Sequence, residues 1–99
     1  MATQGKTKLA RATLQHEDDR VRVTRYDFRP GEATGHHRHE YPYVIVPVTS
    51  GQVRVVDAKG EGLFEMQAGV SYTRPLGVEH DVIYVGDATL TFLEIELKR

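Results

Sequence analysis

The sequence predicts an all-β fold, built as a small closed or double-sheet barrel, and three observations support this prediction. Helix signals are weak, turn residues recur every 6 to 12 positions, and the segments between the turns are rich in β-branched or alternating residues. A chain of 99 residues has room for one domain of this kind. It has no room for the crossover helices that a parallel sheet requires.

The N-terminal part of the chain is polar and has the strongest helical pattern, over residues 6–15. We predict a flexible segment over residues 1–10, followed by a single barrel domain over residues 11–99. Apolar and polar residues alternate over 20–28, which predicts a half-buried strand that ends at the turn dipeptide Pro30-Gly31. The arginines of this strand, at positions 20, 22 and 25, are expected to face solvent, although one of them could reach a substrate carboxylate.

The remaining strands are predicted from short β-branched runs between turns. Residues 44–46 and 53–56 flank Thr49-Ser50-Gly51, which indicates a hairpin, and a further turn is expected at 57–60. Later strands are predicted at 62–66, 70–74, 82–85 and 90–97. On the last strand, we expect the face with Thr91, Leu93, Ile95 and Leu97 to pack in the core. The opposite face, with Leu90, Phe92, Glu94 and Glu96, is mixed.

Charge and composition exclude several classes of function. The 13 basic and 14 acidic residues give a net charge of −1, and the basic residues are dispersed, so neither nucleic acid nor a membrane is an expected partner. No apolar run approaches the roughly 20 residues of a membrane span, and the first residues lack a secretory pattern. We therefore expect a cytoplasmic protein. The absence of cysteine excludes disulfides, thiolate metal sites and cysteine nucleophiles.

The histidines are the most informative residues of the sequence. His37 and His39 are two positions apart, so on a strand they project from one face and could bind one metal ion, whereas His36 points to the other face. An isolated pair of this kind is more often solvated or structural. His80, about forty residues further on, has the same two interpretations when considered alone.

The setting of these histidines resembles the cupin superfamily. Five residues separate Gly31 from His37-Arg38-His39, and Gly51 follows this first group of histidines. Five residues also separate Gly69 from Pro75-Leu76-Gly77-Val78-Glu79-His80. This is similar to the two cupin motifs, G-x5-H-x-H-x3/4-E-x6-G and G-x5-P-x-G-x2-H-x3-N. The resemblance implies a jelly-roll barrel, also called a double-stranded β-helix. It also implies a three-histidine metal site formed by His37, His39 and His80.

The sequence departs from the two motifs at two positions. Tyr43, or Val44 if one counts back from Gly51, stands in place of the metal-binding glutamate, and Tyr84 replaces the asparagine. Tyr43 is either a fourth ligand or a residue that lines the cavity and hydrogen-bonds a ligand or water. Glu40 and Glu79 have the wrong parity for ligands and are expected at the surface or beside the ligating imidazoles.

A site of three neutral imidazoles leaves coordination positions free on one divalent transition metal, which could be Fe, Ni, Zn, Cu or Mn. Three functions remain open. The first is a metal-dependent enzyme, of dioxygenase or isomerase type, acting on a small organic acid. The others are a non-catalytic metal-dependent module that binds a small ligand, and an interaction domain without metal. The chain further resembles small single-domain bacterial cupins of the β-alanine-degradation type, which implies a role in amine or amino-acid catabolism. Apolar residues on both faces of 90–97 predict a homodimer.

Overall fold

In the computed structural model, which describes residues 8–99, the chain forms two antiparallel β-sheets that face each other. The strands are β1 (Arg11–Glu17), β2 (Val21–Phe28), β3 (His37–Arg38), β4 (Tyr43–Pro47), β5 (Gly51–Asp57), β6 (Gly60–Met66), β7 (Tyr72–Arg74), β8 (Glu79–Tyr84) and β9 (Leu90–Leu97). One sheet has the order β1-β2-β9-β4-β7 and the other the order β3-β8-β5-β6. The prediction of an all-β double-sheet barrel is confirmed.

The core lies between the sheets at one end of the barrel. Phe28, Val53 and Leu90 are almost fully buried there, and Phe92 packs against Phe28 with ring centroids 5.4 Å apart. The inner residues of β2 and β9 are direct cross-strand partners. The pairs begin with Phe28 opposite Leu90 in the apolar core and continue to the polar end of both strands. Along the same two strands, the apolar core at one end of the barrel is therefore followed by a polar interior at the other end.

The predicted orientation of β9 is wrong. Leu90, Phe92, Glu94 and Glu96 are buried and face the opposite sheet, whereas Leu93 and Ile95 lie on the outer face and are only partly buried. The two glutamates face inward because the interior contains a polar cavity. In a strand with alternating apolar and polar residues, the apolar face is normally expected to point inward. In β9, the face that carries the two glutamates lines the cavity instead.

One of the three arginines expected to face solvent also departs from its prediction. Arg22 was expected to face solvent, but it lies on the inner face, where its Nε donates to Glu96 Oε1 (2.6 Å) and its Nη2 donates to Glu96 Oε2 (2.9 Å). Arg25 lies on the outer face and pairs with Asp27, and Arg20 is exposed. The interior thus contains a bidentate ion pair, in which two parallel hydrogen bonds join the arginine to the carboxylate.

The predicted hairpin between β4 and β5 is also wrong. β4 pairs with β7 and β9, whereas β5 pairs with β6 and β8, so the turn at 48–50 carries the chain from one sheet to the other. The carbonyl oxygen of Thr91 accepts hydrogen bonds from the amides of Val48 and Thr49 and holds this turn against β9. Gly51 leaves room for the Tyr84 ring, because a Cβ there would lie only 3.0 Å from that ring. The turn at 57–60, in contrast, does form a hairpin, and Gly60 there adopts φ +128°.

At the N-terminal end, part of the segment with the strongest helical pattern forms the strand β1, which pairs with β2 at the edge of the larger sheet. Residues 1–7 of the predicted flexible segment lie outside the described residues. Lys8 and Ala10 both form backbone hydrogen bonds with Ala33. The division at residue 10 stays a prediction. Across 8–99 there is no helix with the length and apolar character needed to cross a membrane.

Candidate metal centre

The three predicted histidines are brought together by β3, β8 and the turn before β8. His37 on β3 is the direct cross-strand partner of His80 on β8. The amide of His39 donates to the carbonyl oxygen of Val78, and the amide of Gly77 donates to that of His39, both at 2.8 Å. Gly77 adopts φ +90°, a conformation that glycine reaches without strain. The Pro75-Leu76-Gly77 turn thus fixes the backbone of His39 beside the two paired strands.

The imidazole Nε2 atoms of these residues converge on one point. The Nε2 atom of His39 lies 2.9 Å from that of His37 and 3.3 Å from that of His80. All three ligand atoms are within 4.8 Å of one another. Nitrogen ligands at about 2.0–2.1 Å from one ion, spaced at about 90–110°, lie roughly 3 Å apart. The donor set therefore fits a divalent transition-metal ion.

A backbone carbonyl sets the orientation of His37. Its Nδ1 lies 2.7 Å from the carbonyl oxygen of Gly35, which can only accept, so the imidazole proton is on Nδ1. The lone pair of Nε2 then points toward His39 and His80. Metal-binding histidines in proteins are usually held by this type of hydrogen bond from the second ring nitrogen.

Burial keeps the other two imidazoles in the neutral form that binds metal. It lowers the pKa of His39 to about 4, and the proximity of His37 and His80 acts in the same direction. Burial likewise lowers the pKa of His80 to about 4, with His37 and then Arg74 contributing. Neutral imidazoles offer a lone pair, whereas protonated ones do not.

The remaining candidates lie around this group. His36 points away, as expected from its parity, and its Nε2 lies 2.8 Å from Oε2 of the exposed Glu79. Glu40 is also exposed. Tyr43 is buried and its ring stacks on His39, with centroids 3.8 Å apart and an angle of 17° between the ring planes. Burial raises the pKa of Tyr43 well above its usual range, so its hydroxyl keeps its proton.

A cavity of about 420 Å³ adjoins the three histidines. Part of its wall is apolar, with Ile45, Val53 and Phe92, and Tyr43 also lines it. Arg74 lines it as well, with its guanidinium 4.6 Å from the centre of the Tyr72 ring. A cavity of this size accepts a small organic molecule in contact with the histidines.

Two residues that the sequence did not assign to the site also face this cavity. Glu94 is buried, and burial raises its pKa to about 7, with Glu96 adding to the effect and Arg22 opposing it. Arg74 has no carboxylate partner among residues 8–99. Glu94 shares a strand face with the apolar Leu90 and Phe92, but this pattern shows only that the two faces of β9 differ and not which one faces inward. For Arg74 there was no signal in the sequence.

Comparison with known proteins assigns the family. The cupin domain family matches residues 24–96. The chain belongs to the cupin family. This cupin is 40% identical over 86 residues to the beta-alanine degradation protein BauB of Pseudomonas aeruginosa, covering 87% of this chain and 90% of BauB. The similarity confirms the expected relationship to small bacterial cupins.

Solved structures agree with this assignment. A cupin domain from Bordetella pertussis is 45% identical, with a TM-score of 0.92, covering 95% of this chain and 98% of that one. A protein from Klebsiella pneumoniae with a double-stranded β-helix domain is 16% identical, with a TM-score of 0.76, covering 96% and 82% of the two chains. The latter similarity concerns the fold alone, which is the double-stranded β-helix that the resemblance implied.

Proposed function

We propose that this cupin is a metal-dependent enzyme that acts on a small organic acid in catabolism, by an isomerase- or dioxygenase-type reaction. The observation that carries the proposal is the convergence of the three Nε2 atoms of His37, His39 and His80 beside a cavity. A divalent ion held by three neutral ligands would keep its full charge and open coordination positions, and it would polarise an oxygen of a bound molecule.

The cavity supports an organic acid as the ligand. Arg74 is an exposed residue that lines the cavity, and aromatic rings limit the position of its guanidinium, with the centroids of Tyr72 and Phe64 at 4.6 and 5.7 Å. Its Nη1 donates to the backbone oxygen of Thr73, which leaves other donors for a ligand carboxylate. The apolar wall around Val53 and Phe92 suits the short carbon skeleton of such a molecule.

The similarity to BauB supports a catabolic role. The name of that protein connects it with β-alanine degradation, and 90% of its length is covered by the match. A small amino acid or its keto-acid product would have the carboxylate and the size that the cavity and Arg74 suit. The reaction itself has to be inferred from the groups in the cavity and not from the name.

Metal analysis tests the proposal most directly. The protein should be produced without a histidine tag in medium with equal traces of Fe, Mn, Ni, Cu and Zn, and its metal content measured by mass spectrometry. We expect about one ion per chain, and none in the triple variant His37→Ala/His39→Ala/His80→Ala. Because affinity favours Cu, Ni and Zn, activity should be assayed after reloading with each metal.

Two results would contradict the proposal. Wild-type protein without stoichiometric metal, or a triple variant with the same metal content, would leave an interaction domain as the better interpretation. Stoichiometric metal with tight binding of small carboxylates, but no turnover of any of them under air or nitrogen, would instead favour the non-catalytic binding module.

A further inference from the structure

Glu94 is a buried carboxyl group that no described residue neutralises. The residue is only 8% exposed, and two positions further along the same face Glu96 binds Arg22 through both carboxylate oxygens. Within residues 8–99, the carboxyl group of Glu94 has neither a hydrogen bond nor an ion pair. Among the described residues the Tyr43 hydroxyl is the one completely enclosed side-chain polar atom without a partner, so the carboxylate oxygens of Glu94 keep some contact with the cavity. A largely desolvated acid without a partner still destabilises a folded protein, which indicates a role other than stability.

Glu94 lies where two cavities meet. The first is the cavity of about 420 Å³ that adjoins the three histidines and Arg74. The second, of about 360 Å³, is lined mainly by polar residues, including Arg22, Thr24 and Glu40. Glu94 lines both cavities, as do His37 and His39. The residue therefore borders both the space for an organic ligand and a polar space, through which a proton can be exchanged with water.

We propose that Glu94 is the catalytic acid–base residue of this cupin, and that its substrate is a small carboxylic acid with a carbonyl group next to an acidic C–H bond. This inference rests on the proposed function and deepens it. The ion, when bound, would polarise the carbonyl group and so make the neighbouring C–H bond more acidic.

The proton transfer is balanced without an oxidant or a reductant. The ionised carboxylate of Glu94 takes the proton from the C–H bond, and the electron pair of that bond stays on the substrate as an enolate. Glu94, now neutral, returns the proton to a different atom of the substrate and becomes a carboxylate again. The net reaction is an isomerisation and not an oxygenation.

The surroundings of Glu94 suit this role. The groups that influence it or are influenced by it are Glu96 on β9, Arg22 and Tyr26 on β2, Tyr43 on β4 and Tyr72 on β7. The tyrosines are neutral, because burial raises the pKa of each, and the charge of Arg22 is shared with Glu96. The pKa of Glu94 is raised to about 7, so both of its forms are available near neutral pH.

A different role for Glu94, as the carboxylate ligand of the metal, is opposed by the geometry. The ligand atoms that lie within 4.8 Å of one another belong to His37, His39 and His80, and Glu94 is not among them. The position where the cupin motif has its glutamate lies on β4, at Tyr43 or Val44, and not on β9. Removal of the Glu94 charge should therefore leave the metal affinity nearly unchanged.

Oxalate is a suitable probe, because this planar dianion resembles the enolate of a 2-oxo acid. We expect it to bind the zinc-loaded protein with Glu94 protonated. Calorimetric titrations at pH 8, in two buffers of different ionisation enthalpy, would measure the protons taken up on binding. Wild-type protein should take up close to one proton more per oxalate than Glu94→Gln, while the two bind Zn²⁺ within about threefold of each other. Glu65→Gln, which removes an exposed acid from β6, should behave as wild type.

Two further measurements extend the test. Zinc-loaded wild-type protein should accelerate the exchange of the methyl protons of pyruvate in D₂O, and Glu94→Gln should lose at least 100-fold of this rate, with partial rescue in Glu94→Asp. If Glu94→Gln does not fold, the carboxyl ¹³C resonances of glutamate-labelled wild-type protein serve instead. At pH 8, one of them should move from the ionised to the protonated position when oxalate is added.

The outcomes separate this inference from the proposed function. Equal proton uptake in wild type and Glu94→Gln, no protonation of a glutamate in the labelled protein, or no pyruvate exchange by wild type would overturn it while metal and oxalate still bind. A loss of more than tenfold in zinc affinity in Glu94→Gln would also overturn it, since Glu94 would then be a ligand. Failure of wild type to bind zinc would overturn the proposed function itself.

Discussion

The phenol ring of Tyr43 lies nearly parallel to the imidazole of His39, with centroids 3.8 Å apart. An imidazole binds a metal ion in the plane of its own ring. The hydroxyl of Tyr43 lies in a neighbouring parallel plane, and the separation of the two rings exceeds the 2.0–2.2 Å of a zinc–oxygen bond. This hydroxyl is buried and has no hydrogen-bond partner within residues 8–99. The stacking favours a role for Tyr43 in orienting His39.

The substitution Tyr43→Phe should therefore leave the metal affinity within about threefold of wild type. It also removes an unpartnered buried hydroxyl, so the free energy of unfolding should stay equal or rise by about 1 kcal/mol. The substitution Tyr43→Leu removes the stacked ring and should weaken metal binding roughly tenfold, as expected when a group that orients a ligand is lost. Zinc titration of the three proteins checks this. If Tyr43→Phe loses more than tenfold in affinity, Tyr43 is a ligand after all.

The three histidines could be found from the sequence because the glycines, the proline and the histidines around them match the cupin motifs, which imply this site. Parity predicted a common face for His37 and His39, and the Pro75-Leu76-Gly77 turn comes just before β8, in which His80 is the second residue. The inward glutamates could not be found in this way. Whether Glu94 or Ile95 faces the interior depends on a polar cavity formed by strands distant in sequence, and a strand pattern shows only that the two faces differ.

The same reasoning explains the wrong hairpin. The turn at 48–50 has residues typical of a hairpin, but β4 and β5 find their partners elsewhere, in β9 and β8. Those pairings bury Phe92 and Val82, which lie about forty and thirty residues further along the chain. The residues of a turn carry no information about which strands pair across such long distances in the sequence. The turn prediction succeeded at 57–60, where the strands on both sides of the turn do pair with each other.

Single replacement of the metal-centre histidines should give a sharp pattern. His37→Ala, His39→Ala and His80→Ala each remove one of the converging nitrogen atoms and should lower zinc affinity at least 100-fold. His36→Ala is the matched control, because its imidazole is exposed and pairs with Glu79 instead. It should bind zinc as wild type does. Equilibrium titration with a competing chelator provides the measurement. Loss of binding in His36→Ala with retention in His37→Ala would show that a different set of imidazoles holds the metal.

Glu94 should make the stability of the metal-free protein depend on pH. Its pKa is about 7 in the folded protein, against an ordinary value of 4.5, so the folded state binds the proton more tightly than the unfolded state. The contribution of protonated Glu94 to the free energy of unfolding is present in full below pH 4.5, and it is lost as the pH rises to about 7. At 1.36 kcal/mol per pH unit, the loss amounts to at most roughly 3 kcal/mol.

The amide of Glu94→Gln cannot ionise, so this variant should be more stable than wild type at pH 8 by about 1–3 kcal/mol and nearly equal at pH 4.5. Urea unfolding of both metal-free proteins at the two pH values gives the comparison. Glu65→Gln, at an exposed position, should show no such difference. A stability gain of Glu94→Gln that is the same at both pH values would mean that Glu94 does not titrate in this range.

Arg74 should affect ligand binding and not metal binding. Arg74→Gln removes a guanidinium from the lining of the cavity, so zinc-loaded protein should bind malonate roughly 10- to 100-fold more weakly, because a hydrogen bond to a charged group contributes about 1.5–3 kcal/mol. Arg54→Gln is the control, since Arg54 donates to Glu61 at the surface. Zinc affinity should not change in either variant. Equal malonate affinity in wild type and Arg74→Gln would remove Arg74 from the site.

The outer face of the larger sheet carries an apolar patch, although the inner face of the same strands is partly charged. Val44 is the cross-strand partner of Ile95, which in turn pairs with Val23, and Leu93 lies beside Val46 in the next row. All five are only partly buried, and they lie side by side on three neighbouring strands. An apolar sheet face of this kind is typical of a surface that packs against another protein.

We propose that this face packs against the same face of a second copy, because a two-fold axis lets one apolar patch cover itself. Light scattering at micromolar concentration should then give twice the chain mass of 11.2 kDa. Ile95→Lys places a charge at the centre of the patch and should give the monomer mass, whereas Val70→Lys, at a 55% exposed position before β7, should leave the dimer intact. A folded Ile95→Lys protein that remains dimeric would place the interface elsewhere, and a monomeric wild type would refute the dimer itself.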